Sequence, residues 1–227
     1  MKKMTAFLLT FCMIGALTAC GQNDTSTTTE TDSIIVESLT ETAETVSVEN
    51  VENSQTSDNS TAVSDNKVLV AYFSATHTTE GVAEKIANVL NADLYEIVPE
   101  QPYTDADLNY NDNNSRSTLE MADASVRPAI SGSVENMGQY DVVFLGYPIW
   151  WGEAPRILST FVESYDFSGK TIVPFCTSGG SGISSSASNL EQLTSGATWL
   201  EGQRMKSSDS EDDIREWIDD LGLDLAK

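Results

Sequence analysis

The sequence predicts an α/β protein with a doubly wound, five-stranded parallel sheet of strand order 2-1-3-4-5. From residue 67 onward, continuous apolar runs alternate with segments whose apolar side chains recur at helical spacing. Continuous apolar runs are typical of parallel strands that helices cover on both faces. Residues 67–227 have the size of one domain, and five such units within it favour this common strand order.

The strands are predicted from apolar segments that turn or polar residues bound. Pro99 ends the second strand, and the fifth is the weakest. A long polar connection, residues 101–139, separates the second strand from the third and contains a short helix near residues 117–124. In chain order the strands are KVLVAYF (67–73), DLYEIVPE (93–100), YDVVFLGYPIWW (140–151), KTIVPFCTS (170–178) and ATWLEGQRM (197–205).

The helices are predicted from apolar side chains three or four residues apart, as in Val82, Ile86 and Val89. Pro155 suits the first turn of one helix, because that position needs no N–H donor. Ser210 and Asp213 have the spacing of a capping box at the start of another. The helices are TTEGVAEKIANVLNA (78–92), APRILSTFVESY (154–165), SSSASNLEQL (184–193) and SEDDIREWIDDLGL (210–223).

Residues 1–20, MKKMTAFLLTFCMIGALTAC, predict an export signal, because Lys2 and Lys3 precede an apolar run that ends in small residues. A membrane-spanning helix is the alternative, but it needs about 20 apolar residues, more than this run supplies. The segment LTAC resembles the lipobox of bacterial lipoproteins. That resemblance implies cleavage before Cys20 and lipid attachment to its thiol, and a cleaved signal with a bare Cys20 is the alternative.

Residues 21–66 contain no Lys, Arg, Pro or aromatic residue and are rich in Ser, Thr, Asn, Glu and Asp. This composition predicts a disordered acidic tether, and its few Ile and Val residues leave a transient strand or helix as the alternative. The whole chain has 35 acidic and 12 basic residues and a net charge of −23. Such a chain repels nucleic acid and anionic lipid surfaces. Attached lipid, rather than surface charge, must therefore hold it at a membrane. Cys176, in the apolar segment TIVPFCTS, is predicted to be buried and inert.

Three loops follow strands one, three and four, which are neighbours in the predicted order. They are SATHTTEG, YPIWWGEAP and TSGGSG. Ligands of doubly wound sheets bind outside the carboxyl ends of the strands, near the switch in strand order. The three loops therefore predict one ligand site.

The first loop has the donors that a phosphate monoester requires. Hydroxyls and the N–H groups of a helix start can hold a phosphate without a cation. The loop lacks the Lys of a nucleotide-hydrolysing P-loop and the glycines of a dinucleotide fingerprint. A Ser/Thr-rich helix cap without a ligand is the alternative.

The second and third loops suit a flat ring. Two adjacent indoles, Trp150 and Trp151, are costly in a polar loop unless one covers a flat ligand such as an isoalloxazine, while the other could pack in the core. The glycines of TSGGSG would let backbone N–H groups reach the edge of the ring. A plain Gly/Ser turn is the alternative for this loop.

These motifs resemble those of the flavodoxin family, and in particular its exported members, over residues 67–227. YFSATHTTEGVAEKIA is similar to the family's phosphate loop, with His77 in place of the usual Gly, and GYPIWWGEAP and TSGGSG are similar to its two flavin-contacting loops. The resemblance implies a flavodoxin-like fold and non-covalent FMN. It implies as cofactor-binding residues Ser74, Thr76, His77, Thr78, Thr79, Pro148, Ile149, Trp150, Trp151, Gly152, Thr177, Ser178, Gly179, Gly180, Ser181 and Gly182.

Three functions remain open at this point. The first is an electron-transfer flavoprotein, monomeric and lipid-anchored outside the cytoplasm, that serves redox partner proteins or a small electron donor or acceptor. The second is an NAD(P)H-dependent FMN oxidoreductase, and the third is a flavin-free binding lipoprotein. Arg116 and Arg127, in the polar connection, could cover the flavin or select a partner, and surface ion pairs are the alternative.

Overall fold

The computed structural model describes residues 66–225. The predicted signal segment, the lipidation site Cys20 and nearly all of the predicted tether lie outside the described residues. In chain order the strands are β1 Val68–Tyr72, β2 Asp93–Glu96, β3 Val98–Pro99, β4 Ile130–Ser131, β5 Val142–Pro148, β6 Thr171–Thr177, β7 Thr198–Trp199 and β8 Gln203–Met205. The helices are α1 Thr78–Leu90, α2 Arg116–Ala122, α3 Arg156–Glu163, α4 Ser184–Glu191 and α5 Glu211–Asp220.

The main sheet is parallel and has the order β2-β1-β5-β6-β7, with β8 also paired to β6. Since β5 and β6 are the predicted third and fourth strands, the predicted order 2-1-3-4-5 is confirmed. The switch in order lies between β1 and β5, whose carboxyl ends are adjacent.

Both faces of the sheet are buried, which explains why the strands read as continuous apolar runs. Alternate residues of β1 belong to different core clusters: Leu69 and Ala71 pack with α3, whereas Val70 and Tyr72 pack with α1 and α5. Every residue of β1 is buried. The alternation of side chains across a strand therefore gives two apolar cores, one on each face.

The predicted fifth strand is interrupted. Only Thr198–Trp199 and Gln203–Met205 pair with β6, and the break lies opposite Pro174. Pro174 has no N–H to donate to a neighbouring strand. Gly202 lies in the break, where an added Cβ would be 2.6 Å from the carbonyl oxygen of Pro174. The fifth strand is therefore two short pieces joined by a segment that packs against the proline.

The remaining elements follow the predicted pattern, with local differences. The predicted capping box of Ser210 and Asp213 is present at the start of α5. The short helix predicted in the polar connection forms as α2, with Ser115 as its cap. The small antiparallel pair β3–β4 joins the residues just before this connection to residues near its end. Among residues 66–225, none of the helices combines the length and the apolarity that a membrane crossing requires.

Candidate functional site

The three predicted loops meet at the carboxyl edge of the sheet and line one open cavity of about 380 Å³. Residues of all three loops contribute to its wall, as do residues from the polar connection and from the segment after β8. The lining residues are Thr76, Thr78, Pro148, Ile149, Thr177, Ser178 and Gly179 from the loops, and Tyr110, Met205, Lys206 and Ser207 from elsewhere.

The first loop presents the start of α1 to this cavity. His77 caps the helix in the left-handed conformation, with φ 60°, a conformation that Gly adopts more readily than other residues. Its ring bonds Glu80 rather than a residue of the cavity. The N–H groups in the first turn of a helix have no acceptor within the helix, so they remain available to a ligand.

Ser74, at the base of the first loop, has a buried hydroxyl without a hydrogen-bond partner in the described structure. A buried hydroxyl that makes no hydrogen bond costs stability. The oxygen of a bound anion at the start of α1 would satisfy it. The residues of this loop therefore fit a phosphate.

Thr79 and Thr177 are both buried, and their hydroxyl oxygens lie 2.8 Å apart. The bond joins the first turn of α1 to the end of β6. Because one hydroxyl donates to the other, the accepting hydroxyl keeps a hydrogen that can be donated to a ligand. Thr79 was predicted as a direct phosphate ligand. It is not among the residues that line the cavity, and its hydroxyl instead links the first loop to the third.

The second loop places its two adjacent indoles in different surroundings, one in the core and one at the surface. Trp150 is 3% exposed and packs edge-on against Phe73 and Tyr103, with ring centroids 5.6 and 5.2 Å away. The expectation that Trp150 lies against a ligand is thereby corrected, because its side chain belongs to the core and does not line the cavity. A tight β-bridge between residues 150 and 153 turns the chain between the two indoles.

Trp151 is 44% exposed and has a left-handed backbone, with φ 49°. Its ring lies 4.7 Å from that of Tyr110, at an interplanar angle of 41°. Gly152 continues the left-handed turn with φ 83°, a conformation that glycine adopts without strain. The turn thus holds one indole outward, next to the cavity wall formed by Tyr110.

The third loop is partly organised by its own hydrogen bonds. The hydroxyl of Ser178 donates to the carbonyl of Ser181 and accepts from the N–H of Gly180. Thr177, Ser178 and Gly179 line the cavity, whereas the predicted site residues Gly180, Ser181 and Gly182 are exposed beyond the residues that line it.

Sequence reasoning missed Tyr110 and Lys206. Tyr110 is an aromatic side chain in an otherwise polar stretch, which was the signal available for it. Partial burial raises the pKa of its phenol. Lys206 follows the predicted fifth strand, but nothing in the sequence indicated that this strand ends beside the first loop.

Other candidate residues have structural roles. Arg127 forms a two-bond pair with Glu163, as the surface ion-pair alternative predicted. Arg116 pairs with Glu120, but Glu120 is buried, so this pair is not a surface one. Cys176 is buried, as predicted, and burial raises the pKa of its thiol to about 12. Within residues 66–225, no group of three or more His, Cys, Asp or Glu side chains is placed to hold a metal ion.

The fold and its cavity define a doubly wound α/β protein that binds ligands at the carboxyl edge of its sheet. The family model described as flavodoxin matches residues 67–221, and the chain belongs to the flavodoxin family. None of the curated proteins matches the chain.

Three solved structures are similar to the chain. A candidate flavoprotein from Bacteroides eggerthii is 52% identical, with a TM-score of 0.66, over 69% of this chain and 98% of that one. One from Bacteroides uniformis is 44% identical, with a TM-score of 0.65, over 68% and 98%. A flavoprotein in complex with FMN from Lactobacillus acidophilus is 21% identical, with a TM-score of 0.53, over 67% and 99%, and this likeness concerns the fold.

Proposed function

We propose that the chain binds FMN non-covalently in the three-loop cavity and transfers electrons between redox partners. The observation that carries the proposal is the buried hydroxyl of Ser74, in the loop before α1, which has no hydrogen-bond partner among the described residues. Thr76 and Thr78 add hydroxyls at the cavity wall. Together with the free N–H groups of the helix, these donors match the several oxygens of a phosphate monoester.

The ring end of the proposed site uses Trp151 and Tyr110. Both rings are about half exposed, and their planes are inclined at 41° to each other rather than stacked. Aromatic rings gain most from offset stacking or edge contacts, so a flat ligand between or beside them would improve their packing. Ile149 and Pro148 supply an apolar rim on the same side of the cavity.

Bound FMN would supply the redox chemistry, and the protein would position it and set its electrostatic environment. The net charge of −23 makes it unfavourable to add a negative charge at the site. We therefore expect a midpoint potential below that of free FMN, measurable by redox titration. A potential above that of free FMN would contradict this expectation.

We also propose that the chain works outside the cytoplasm, held at the membrane by lipid on Cys20. The support is the signal and lipobox pattern in residues 1–20 and the long acidic segment that follows. Metabolic labelling with a radioactive fatty acid tests the anchor, with Cys20→Ser as the control that should lose the label.

The test of FMN binding is the visible spectrum of the purified full-length chain before and after addition of FMN. We expect a shifted flavin absorption band and quenched flavin fluorescence, since in the proposed site an indole would pack against the ring. Well-folded protein that leaves the spectrum and fluorescence of FMN unchanged would refute the proposal. Rapid reduction of the bound flavin by NADH or NADPH alone would instead favour the oxidoreductase.

A further inference from the structure

Lys206 lines the cavity, and its ammonium has no ion-pair partner within residues 66–225. Among the described residues that line the cavity it is the only charged one. Its backbone N–H donates to the carboxylate of Asp209, but its ammonium makes no hydrogen bond or ion pair within residues 66–225. By contrast, the ammonium of Lys67 pairs with Asp93, and that of Lys170 donates to the carbonyl of Tyr140.

Contacts between elements place Lys206 at the first-loop end of the cavity. Met205 lies beside Thr177 in the register of β8 and β6, and Thr177 bonds Thr79 in the first turn of α1. The ammonium of Lys85, farther along α1, donates to the carbonyls of Ser207 and Asp209 at 3.0 and 2.7 Å. The segment that carries Lys206 is thus held against the middle of α1.

We infer that Lys206 binds the phosphate of the flavin and makes the cavity selective for FMN over riboflavin, an inference that rests on the proposed function. A phosphate monoester carries a charge of about −1.5 to −2 at neutral pH. The chain has a net charge of −23, which repels that dianion. Without Lys206, hydroxyls and N–H groups alone would have to hold the phosphate against this repulsion. One unpaired ammonium at the wall of the cavity would offset part of this repulsion.

The test compares the affinities of FMN and riboflavin for the full-length chain and for Lys206→Gln, measured by flavin fluorescence. Loss of a charge-assisted hydrogen bond should weaken FMN binding roughly tenfold to a hundredfold. Riboflavin binding should change less than about threefold, because riboflavin has no phosphate. Lys206→Arg should retain most of the preference, since it keeps the charge.

Lys67→Gln is the matched control, because it removes the same charge from the opposite end of β1. It should leave the preference for FMN unchanged. Equal losses for FMN and riboflavin in Lys206→Gln, or no loss for either, would overturn the inference.

A second measurement separates this inference from the proposed function. Inorganic phosphate should raise the thermal unfolding temperature of the wild-type chain more than that of Lys206→Gln. If the wild type binds no FMN but shows this difference, the proposed cofactor is wrong and the anion-binding role of Lys206 stands. If phosphate stabilises both proteins equally, the role of Lys206 is refuted.

Discussion

The hydroxyl groups of Thr79 and Thr177 form a buried bond between residues that are 98 positions apart in the chain. The bond fixes the start of α1 against the end of β6, so the phosphate-side loop and the ring-side loop are held in one arrangement. Both residues are buried, so water has little access to either hydroxyl. The bond should therefore stabilise the fold as well as the site.

Thr79→Val leaves the hydroxyl of Thr177 buried without a partner, and we expect a loss of roughly 1–3 kcal/mol in the free energy of unfolding. Thr177→Val should cost a similar amount for the same reason. The double variant should lose clearly less than the two single losses combined, because both polar groups are then gone. Urea unfolding measures all three, with Thr76→Val as an exposed control that should change stability little. Additive losses would show that the two hydroxyls do not interact.

The two adjacent indoles should respond oppositely to truncation. Trp151→Ala should weaken FMN binding about tenfold while changing the free energy of unfolding by less than about 0.5 kcal/mol, because the side chain is exposed. Trp150→Ala should cost about 3–5 kcal/mol of stability, since it opens a cavity in the core. Fluorescence titration and urea unfolding measure the two effects. Unchanged FMN affinity in Trp151→Ala would remove this indole from the proposed site.

Tyr110 should act through its ring rather than its hydroxyl, which makes no hydrogen bond within the described residues. Tyr110→Phe should therefore bind FMN as the wild type does, whereas Tyr110→Ala should bind it several-fold more weakly. The same fluorescence titration provides the comparison. A loss of affinity in Tyr110→Phe equal to that in Tyr110→Ala would assign the role to the hydroxyl instead.

Gly202→Ala should destabilise the fold by about 1–3 kcal/mol, because the new methyl group would overlap the backbone of Pro174. Gly180→Ala is the matched control in the third loop, where an added Cβ meets nothing within 4 Å. It should leave stability unchanged or slightly raised. The midpoints of thermal unfolding distinguish the two variants, and equal midpoints would contradict the close packing of Gly202.

Cys176 should not react with a thiol reagent at pH 8 in the native chain, because its thiol is buried and its pKa is raised to about 12. Since this pKa is above its ordinary value of 9.0, the thiol leaves stability unchanged below about pH 9. Stability should fall as the pH rises above 9, where the unfolded thiol ionises first. Reactivity that appears only in denaturant, and is absent in Cys176→Ala, would confirm the burial. Native reactivity that Cys176→Ala abolishes would refute it.

The buried parallel strands could be predicted because a continuous apolar run depends only on local sequence. Their order could be predicted because 2-1-3-4-5 is a common arrangement for five such units. The interruption of the fifth strand could not, because it results from Pro174 in the neighbouring strand. Likewise, the sequence showed two adjacent indoles but not which of them the turn at Gly152 would hold outward. Lys206 was missed for a similar reason, since its position depends on how β8 pairs with β6.

The break opposite Pro174 has a consequence for how the chain behaves when crowded. An unbroken outer strand offers a row of free N–H and C=O groups on which another molecule can add a strand, and this is a common start of aggregation. Here the outer strand consists of pieces of two and three residues, so it offers no long template. If the proposed lipid anchor concentrates the chain on a surface, this short, broken edge gives neighbouring molecules little backbone to pair with.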